Sequence, residues 1–144
     1  VDAASEDPGR QRLEKALSGR YLPLLFQAAA TAPERIAPGE GAEAVARVRD
    51  GPPGDDADLA AAILDRSADL VAAGLAAVAD VVGGPIRVVA EGSLFWRTTG
   101  YRERVETSAA LLLGSGDRLA CVAVPGATLA GAARAALLAR GGAT

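Results

Sequence analysis

The sequence predicts an α/β domain, mostly helical, with two parallel strands at residues 86–90 and 118–124. Three observations carry that prediction. The stretch from Asp56 to Val82 is proline-free and repeats apolar residues at helical spacing. Two short apolar runs, Ile86-Arg87-Val88-Val89-Ala90 and Arg118 to Val124, are bounded by Gly and Pro and read as strands. A helical segment, Tyr101 to Leu113, lies between them. The order helix, strand, helix, strand, helix implies parallel strands joined by a right-handed crossover.

The first segment, Gly9 to Leu17, is a string of helix formers after Asp7-Pro8, so a helix capped by Asp7 is expected there. Ser18-Gly19 interrupts it. A second helix from Arg20 to Ala30 is expected with Ser18 as its cap and Pro23 in its first turn, placing Leu22, Leu25, Phe26 and Ala29 on one face. Thr31 to Gly41 holds two prolines and two glycines and reads as a loop, followed by a short helix at Ala42 to Arg49. Asp50 to Asp56 is the strongest breaker and reads as a surface loop.

The long helix begins among acidic residues, which suit a helix N-terminus, and stops at Gly83-Gly84-Pro85. Leu59, Ile63, Leu70, Gly74 and Val78 form one stripe, widened by Leu64, Val71, Leu75 and Val82. Gly74 costs about 1 kcal/mol against Ala, so close packing on a neighbour is expected there. After the first strand, Glu91-Gly92-Ser93-Leu94-Phe95-Trp96 and the residues to Gly100 read as a loop. It is either a ligand loop at a strand's C-terminal end, where Gly admits close approach, or a plain surface turn. Thr128 is expected to cap a last helix, Leu129 to Ala139. Two parallel strands alone make a poor sheet, so further strands are expected from elsewhere.

Composition bounds the function. The chain has 144 residues, the size of one domain, and half are hydrophobic but only 3% aromatic, so its core is built from small side chains. A net charge of -3 gives no electrostatic reason to expect nucleic acid or a membrane surface as partner. Arg97, Arg102 and Arg104 read as a solvated cluster. With no histidine, acid and base chemistry falls to carboxylates. The single Cys121 reads as a buried hydrophobe, and no disulfide or zinc framework can be written, which fits a cytoplasmic protein. No apolar run spans a bilayer, and the first seven residues lack a signal peptide's layout. The absence of any Met leads us to expect a piece of something longer.

Asp7-Pro8-Gly9-Arg10-Gln11-Arg12-Leu13-Glu14-Lys15-Ala16-Leu17-Ser18-Gly19-Arg20-Tyr21-Leu22 resembles the stretch Asn-Pro-Gly-x-Gln-x-x-Glu-Lys-Met-x-Ser-Gly-x-Tyr-Leu of eukaryotic-type hexokinases. Arg66-Ser67-Ala68-Asp69-Leu70 with Ala73-Gly74-Leu75-Ala76 is similar to that family's Arg-Ala-Ala helix. Glu91-Gly92-Ser93-Leu94-Phe95 is similar to its Asp-Gly-Ser-Val-Tyr, and Gly131-Ala132-Ala133 to its closing Gly-Ala-Ala. The resemblance covers nearly the whole chain in order, weakening between Thr31 and Asp56. It implies the C-terminal part of the large domain of a hexokinase or glucokinase, a partial actin-like ATPase (ribonuclease H-like) fold, forming over residues 1–144 a single incomplete domain.

The resemblance also implies a function: ATP-dependent phosphorylation of the 6-hydroxyl of glucose or a similar hexose, with Mg2+ carried by the nucleotide. By position it assigns Glu14 to the sugar hydroxyls, with Gln11 in support. A carboxylate is acceptor-only and suits such donors. It assigns Gly19 and Arg20 to the neighbourhood of ATP, and Gly92, Ser93 and Leu94 to the adenosine. Departures stand beside these matches. Glu91 replaces Asp, Trp96 and Arg97 occupy the region of a family Lys, and Ala127 to Ala133 has lost two glycines. The family's Thr and Ser that help bind ATP have no counterpart near Ala42 to Asp50. Trp96 either packs beside the adenine or covers the loop. In the family the catalytic Asp, the Gly-Thr-Gly phosphate loop and the sugar-pocket Asn precede the point where this chain begins. The chain alone is therefore expected to be inactive until joined to a missing N-terminal half. The other reading is a non-catalytic, hexokinase-like regulatory module that binds sugar or nucleotide.

Overall fold

The computed structural model describes residues 2–4 and 7–141; Val1, Ser5 and Glu6, on which part of the signal-peptide argument rests, lie outside them. The first helix, α1, spans Arg12–Leu17 and begins later than the sequence suggests. Asp7 does not cap it. Gly9 (φ 82°) and Gln11 (φ 49°) are left-handed, and the Asp7 carbonyl instead accepts the Lys15 ammonium and the Arg10 N–H. Lys15 also pairs with Asp2 at 2.7 Å, so its buried stem ties the start of the chain onto α1. Helix α2, Leu22–Ala29, is entered through Tyr21 rather than Ser18, whose carbonyl accepts the Tyr21 and Leu22 N–H groups. Leu22 and Phe26 are fully buried, whereas Ala29 faces solvent.

The loop expected after α2 holds one 3-10 turn, Pro33–Arg35, and buries Ile36. Helix α3 occupies Ala42–Arg49, as expected. Helix α4, Asp55–Val82, is 28 residues long, about 42 Å at 1.5 Å per residue, and α1, α2, α3 and the helix at Tyr101–Leu113 gather on it. Its buried face is not the expected leucine stripe. Ala57, Ala60, Leu64, Ala68, Ala72, Ala76 and Ala79 are buried, while Val78 and Val82 are more than half exposed. Alanine lets helix axes approach, and the closest partner over this length is α6, Tyr101–Leu113. Gly74 is on the opposite side, and a Cβ there would meet open space, so the expected close contact does not exist.

Strands β1, Ile86–Val89, and β2, Leu119–Val122, pair in parallel with Ile86 opposite Leu119 and Val88 opposite Cys121. Both are shorter than the sequence runs, because Ala90 adds only a hydrogen bond to Val122 and Gly116–Arg118 forms a 3-10 turn. Their inward residues, Ile86, Val88, Leu119 and Cys121, join the core formed by Leu22, Phe26, Val45, Leu64 and Val105. Two departures concern the ends of β1 and β2. The segment expected as loop contains a helical turn, α5, Ser93–Arg97. The last helix, α7, spans Ala127–Gly141, so Thr128 lies inside it. Its amide and hydroxyl donate to the Glu91 carboxylate, which supplies the cap from another loop. The arginines form no joint patch: Arg104 pairs with Asp65 and Asp69, and Arg102 pairs with Glu106 and lies over Trp96.

Candidate functional site

Between the α1–α2 turn and the end of β1 lies a cavity of about 590 Å³. Two segments far apart in sequence meet at it, Ser18-Gly19-Arg20 and Glu91-Gly92-Ser93-Leu94. Local chemistry explains each. Ser18 ends α1 in an extended conformation and its hydroxyl accepts the Arg20 N–H at 3.4 Å. Gly92 at φ 105° turns the chain from β1 into α5, a conformation that side chains with a Cβ rarely adopt. A Cβ on Gly19 would sit 3.6 Å from that of Leu94, an ordinary contact, and 3.3 Å from that of Ala42, so the tight approach at Gly19 is to the start of α3.

The floor and walls are apolar, made by Val71 and Leu75 of α4, Val88 and Ala90, Phe95, and Cys121. Polar groups stand among them, most already engaged. Ala90 donates its N–H to Val122 and accepts the Trp96 indole N–H at 2.8 Å. Trp96 therefore covers the loop and does not line the cavity. The Glu43 carboxylate accepts the Gly41 N–H at 3.0 Å. The Thr128 hydroxyl and then its N–H hold the Glu91 carboxyl below its usual range. Burial pushes the Cys121 thiol up, away from thiolate chemistry. The Ser93 hydroxyl, exposed at the mouth, makes no hydrogen bond among the described residues.

A buried relay lies beside the cavity. Ser67 on α4 is fully buried and has one proton, which it gives to the Leu17 carbonyl at 2.8 Å. The Tyr101 hydroxyl, 2.7 Å away, must therefore donate to Ser67 Oγ. Burial raises the Tyr101 pKa and keeps that proton in place. Leu17 and Tyr101 both line the cavity, and Ser67 links them.

All five residues that the sequence assigns to nucleotide, Gly19, Arg20, Gly92, Ser93 and Leu94, line this one cavity. Glu14 and Gln11 do not; both are exposed, Glu14 on the first turn of α1 and Gln11 just before it, while the helix's other end, Leu17, opens onto the cavity. Glu43, Ser67 and Tyr101 escaped sequence reasoning as site residues. Glu43 was visible only as an acidic residue in a helix's first turn, and Ser67 as a polar residue in an apolar face, with no signal of what either touches. Among the described residues no group of acidic or sulfur side chains could hold a metal ion.

A family model described as hexokinase matches residues 57–138, more than half of the chain. The matched part takes in most of α4, both strands, α5, α6 and much of α7, and leaves out the motif at residues 7–22. No curated protein and no solved structure matches the chain.

Proposed function

The chain belongs to the hexokinase family, and we propose that it forms the nucleotide-facing part of an ATP-dependent hexose kinase with an actin-like ATPase fold. The substrate in this reading is glucose or a similar hexose, phosphorylated at its 6-hydroxyl. The observation that carries the proposal is the meeting of residues 19–20 and 92–94 at one apolar-walled cavity. Its size falls in the range of about 300–1,000 Å³ usual for small-ligand sites.

The residues present fit ATP. Val88, Ala90 and Phe95 offer apolar surface to the base, and Gly19 and Gly92 admit it close to the backbone. Ser93 has a hydroxyl available for the sugar or base edge. Arg20, at the rim, supplies charge for phosphate oxygens. Mg2+ would arrive with the nucleotide rather than on side chains of this chain, and would supply positive charge to offset that of the transferring phosphoryl group. Glu14, supported by Gln11, takes the sugar on the exposed side of α1, one turn before the cavity-lining Leu17.

The catalytic base is not among these groups. Deprotonating the attacking hydroxyl needs a carboxylate within hydrogen-bond reach, and both carboxylates at the cavity, Glu43 and Glu91, are engaged by backbone N–H groups. We therefore assign the base to an N-terminal half of a cytoplasmic enzyme and expect this chain by itself to bind without turnover. The same engagement favours, as a second reading, a regulatory module that never transfers phosphate. Calorimetry tests the site. ATP should bind saturably, and Ser93→Ala, an exposed and structurally mild change, should weaken it about tenfold, the worth of one hydrogen bond near charge. A silent titration of the folded chain sinks the nucleotide reading. Formation of hexose 6-phosphate by the chain joined to its N-terminal half separates the kinase from the module.

A further inference from the structure

We infer that the Glu91–Thr128 contact is a clasp through which helix α7 positions the nucleotide loop, so that loop order and α7 docking rise and fall together. The inference rests on the nucleotide reading of the cavity. Glu91 lines the cavity and is the residue immediately before Gly92, where the chain turns into α5. Its carboxylate accepts both the hydroxyl and the N–H of Thr128, the latter at 3.2 Å. Thr128 itself does not line the cavity.

The clasp matters because α7 has little else to hold it. From Thr128 to Leu138 its side chains are exposed, and among the described residues its only hydrogen bonds to a segment outside residues 124–141 are those to Glu91. It is joined to β2 through Pro125-Gly126, with Gly126 left-handed at φ 67°. A helix held at its first turn and jointed on glycine can change its angle unless that turn is fixed. Gly92 has open space where a Cβ would sit, its carbonyl accepts the Trp96 N–H at 3.4 Å, and the residue before it is held by Thr128, so the loop is tied to α5 on one side and to α7 on the other. A ligand that requires the ordered loop thus stabilises the docked helix, and by reciprocity the docked helix raises ligand affinity.

The test uses the 144-residue chain with Thr128→Val, which removes only the hydroxyl, and Glu91→Ala, which removes both bonds. Amide hydrogen exchange is read at residues 91–94 and 128–131, with and without MgATP, alongside calorimetric affinity and melting temperature. The clasp predicts faster exchange in both segments for both variants, and MgATP that slows exchange in α7 of the wild type. It also predicts affinity falling about three- to tenfold for Thr128→Val, with the double variant no worse than Glu91→Ala alone. Exchange confined to the mutated segment, or Thr128→Val affinity unchanged beside a wild type that binds, overturns it. If the wild type binds no nucleotide, the kinase reading fails by itself, and joint acceleration of the two segments still decides the clasp.

Discussion

At Ser67 a single hydroxyl serves two neighbours, and its loss would orphan both the Leu17 carbonyl and the Tyr101 hydroxyl. Unsatisfied buried polar groups cost about 1–3 kcal/mol each. Ser67→Ala is therefore expected to destabilise the chain by about 2–4 kcal/mol, and Tyr101→Phe, which leaves Ser67 bonded to Leu17, by about 1. Equal losses in chemical denaturation would contradict the relay. Asp56 is the acid-sensitive counterpart. The Thr31 N–H, then the Thr31 hydroxyl and Ala32 N–H, lower its pKa against the opposing effect of burial. Its folded value lies below its unfolded one, so its contribution is present above about pH 3.9 and is lost as pH falls through the folded value. Asp56→Asn should flatten the acid limb of a stability-versus-pH curve, and an unchanged slope would show that the contact stabilises nothing. Neither arrangement was legible beforehand, because the hydrogen-bonded partners are 24 or more residues apart in sequence.

Helix α4 separates what periodicity can tell from what it cannot. Its length and ends follow from an uninterrupted run of helix formers between acidic residues and Gly83. Its buried face does not follow, because alanine scores as apolar but weak, and a stripe of leucine and valine outvotes it. In the fold, α6 packs along α4, and the buried face there is alanine apart from Ser67 and Leu64 in its N-terminal half. Gly74, pointing at open space, has no packing duty. Gly74→Ala should thus stabilise the chain by about 1 kcal/mol, read as a higher melting temperature. Ala68→Leu, on the fully buried side, should cost about 1–3 kcal/mol by overpacking. A melting temperature lowered by Gly74→Ala would reverse this assignment of faces.

For the molecule as a whole, the two-stranded sheet and α7 leave apolar surface in water. Leu129, Leu137 and Leu138 are about 70–80% exposed, and Val89 on β1 is half exposed. Parallel strands are ordinarily covered on both faces, so the isolated chain is expected to self-associate as its concentration rises. Sedimentation velocity over a wide concentration range checks this, and a monodisperse monomer throughout would contradict it.

The sequence by itself determined the order of the main helices, two parallel strands within residues 86–90 and 118–124, and the family, though it read α5 as loop, because punctuation by Gly and Pro, strand-forming runs and motif spacing are local properties. It also placed Gly19, Arg20, Gly92, Ser93 and Leu94 as candidates. Only the tertiary structure decided that these five share one cavity, that Ser67 links Leu17 to Tyr101 beside it, that Glu91 rather than Thr128 caps α7, and that α4 buries alanine. Each of those outcomes depends on how closely two distant segments approach, a distance that residue spacing along the chain does not contain.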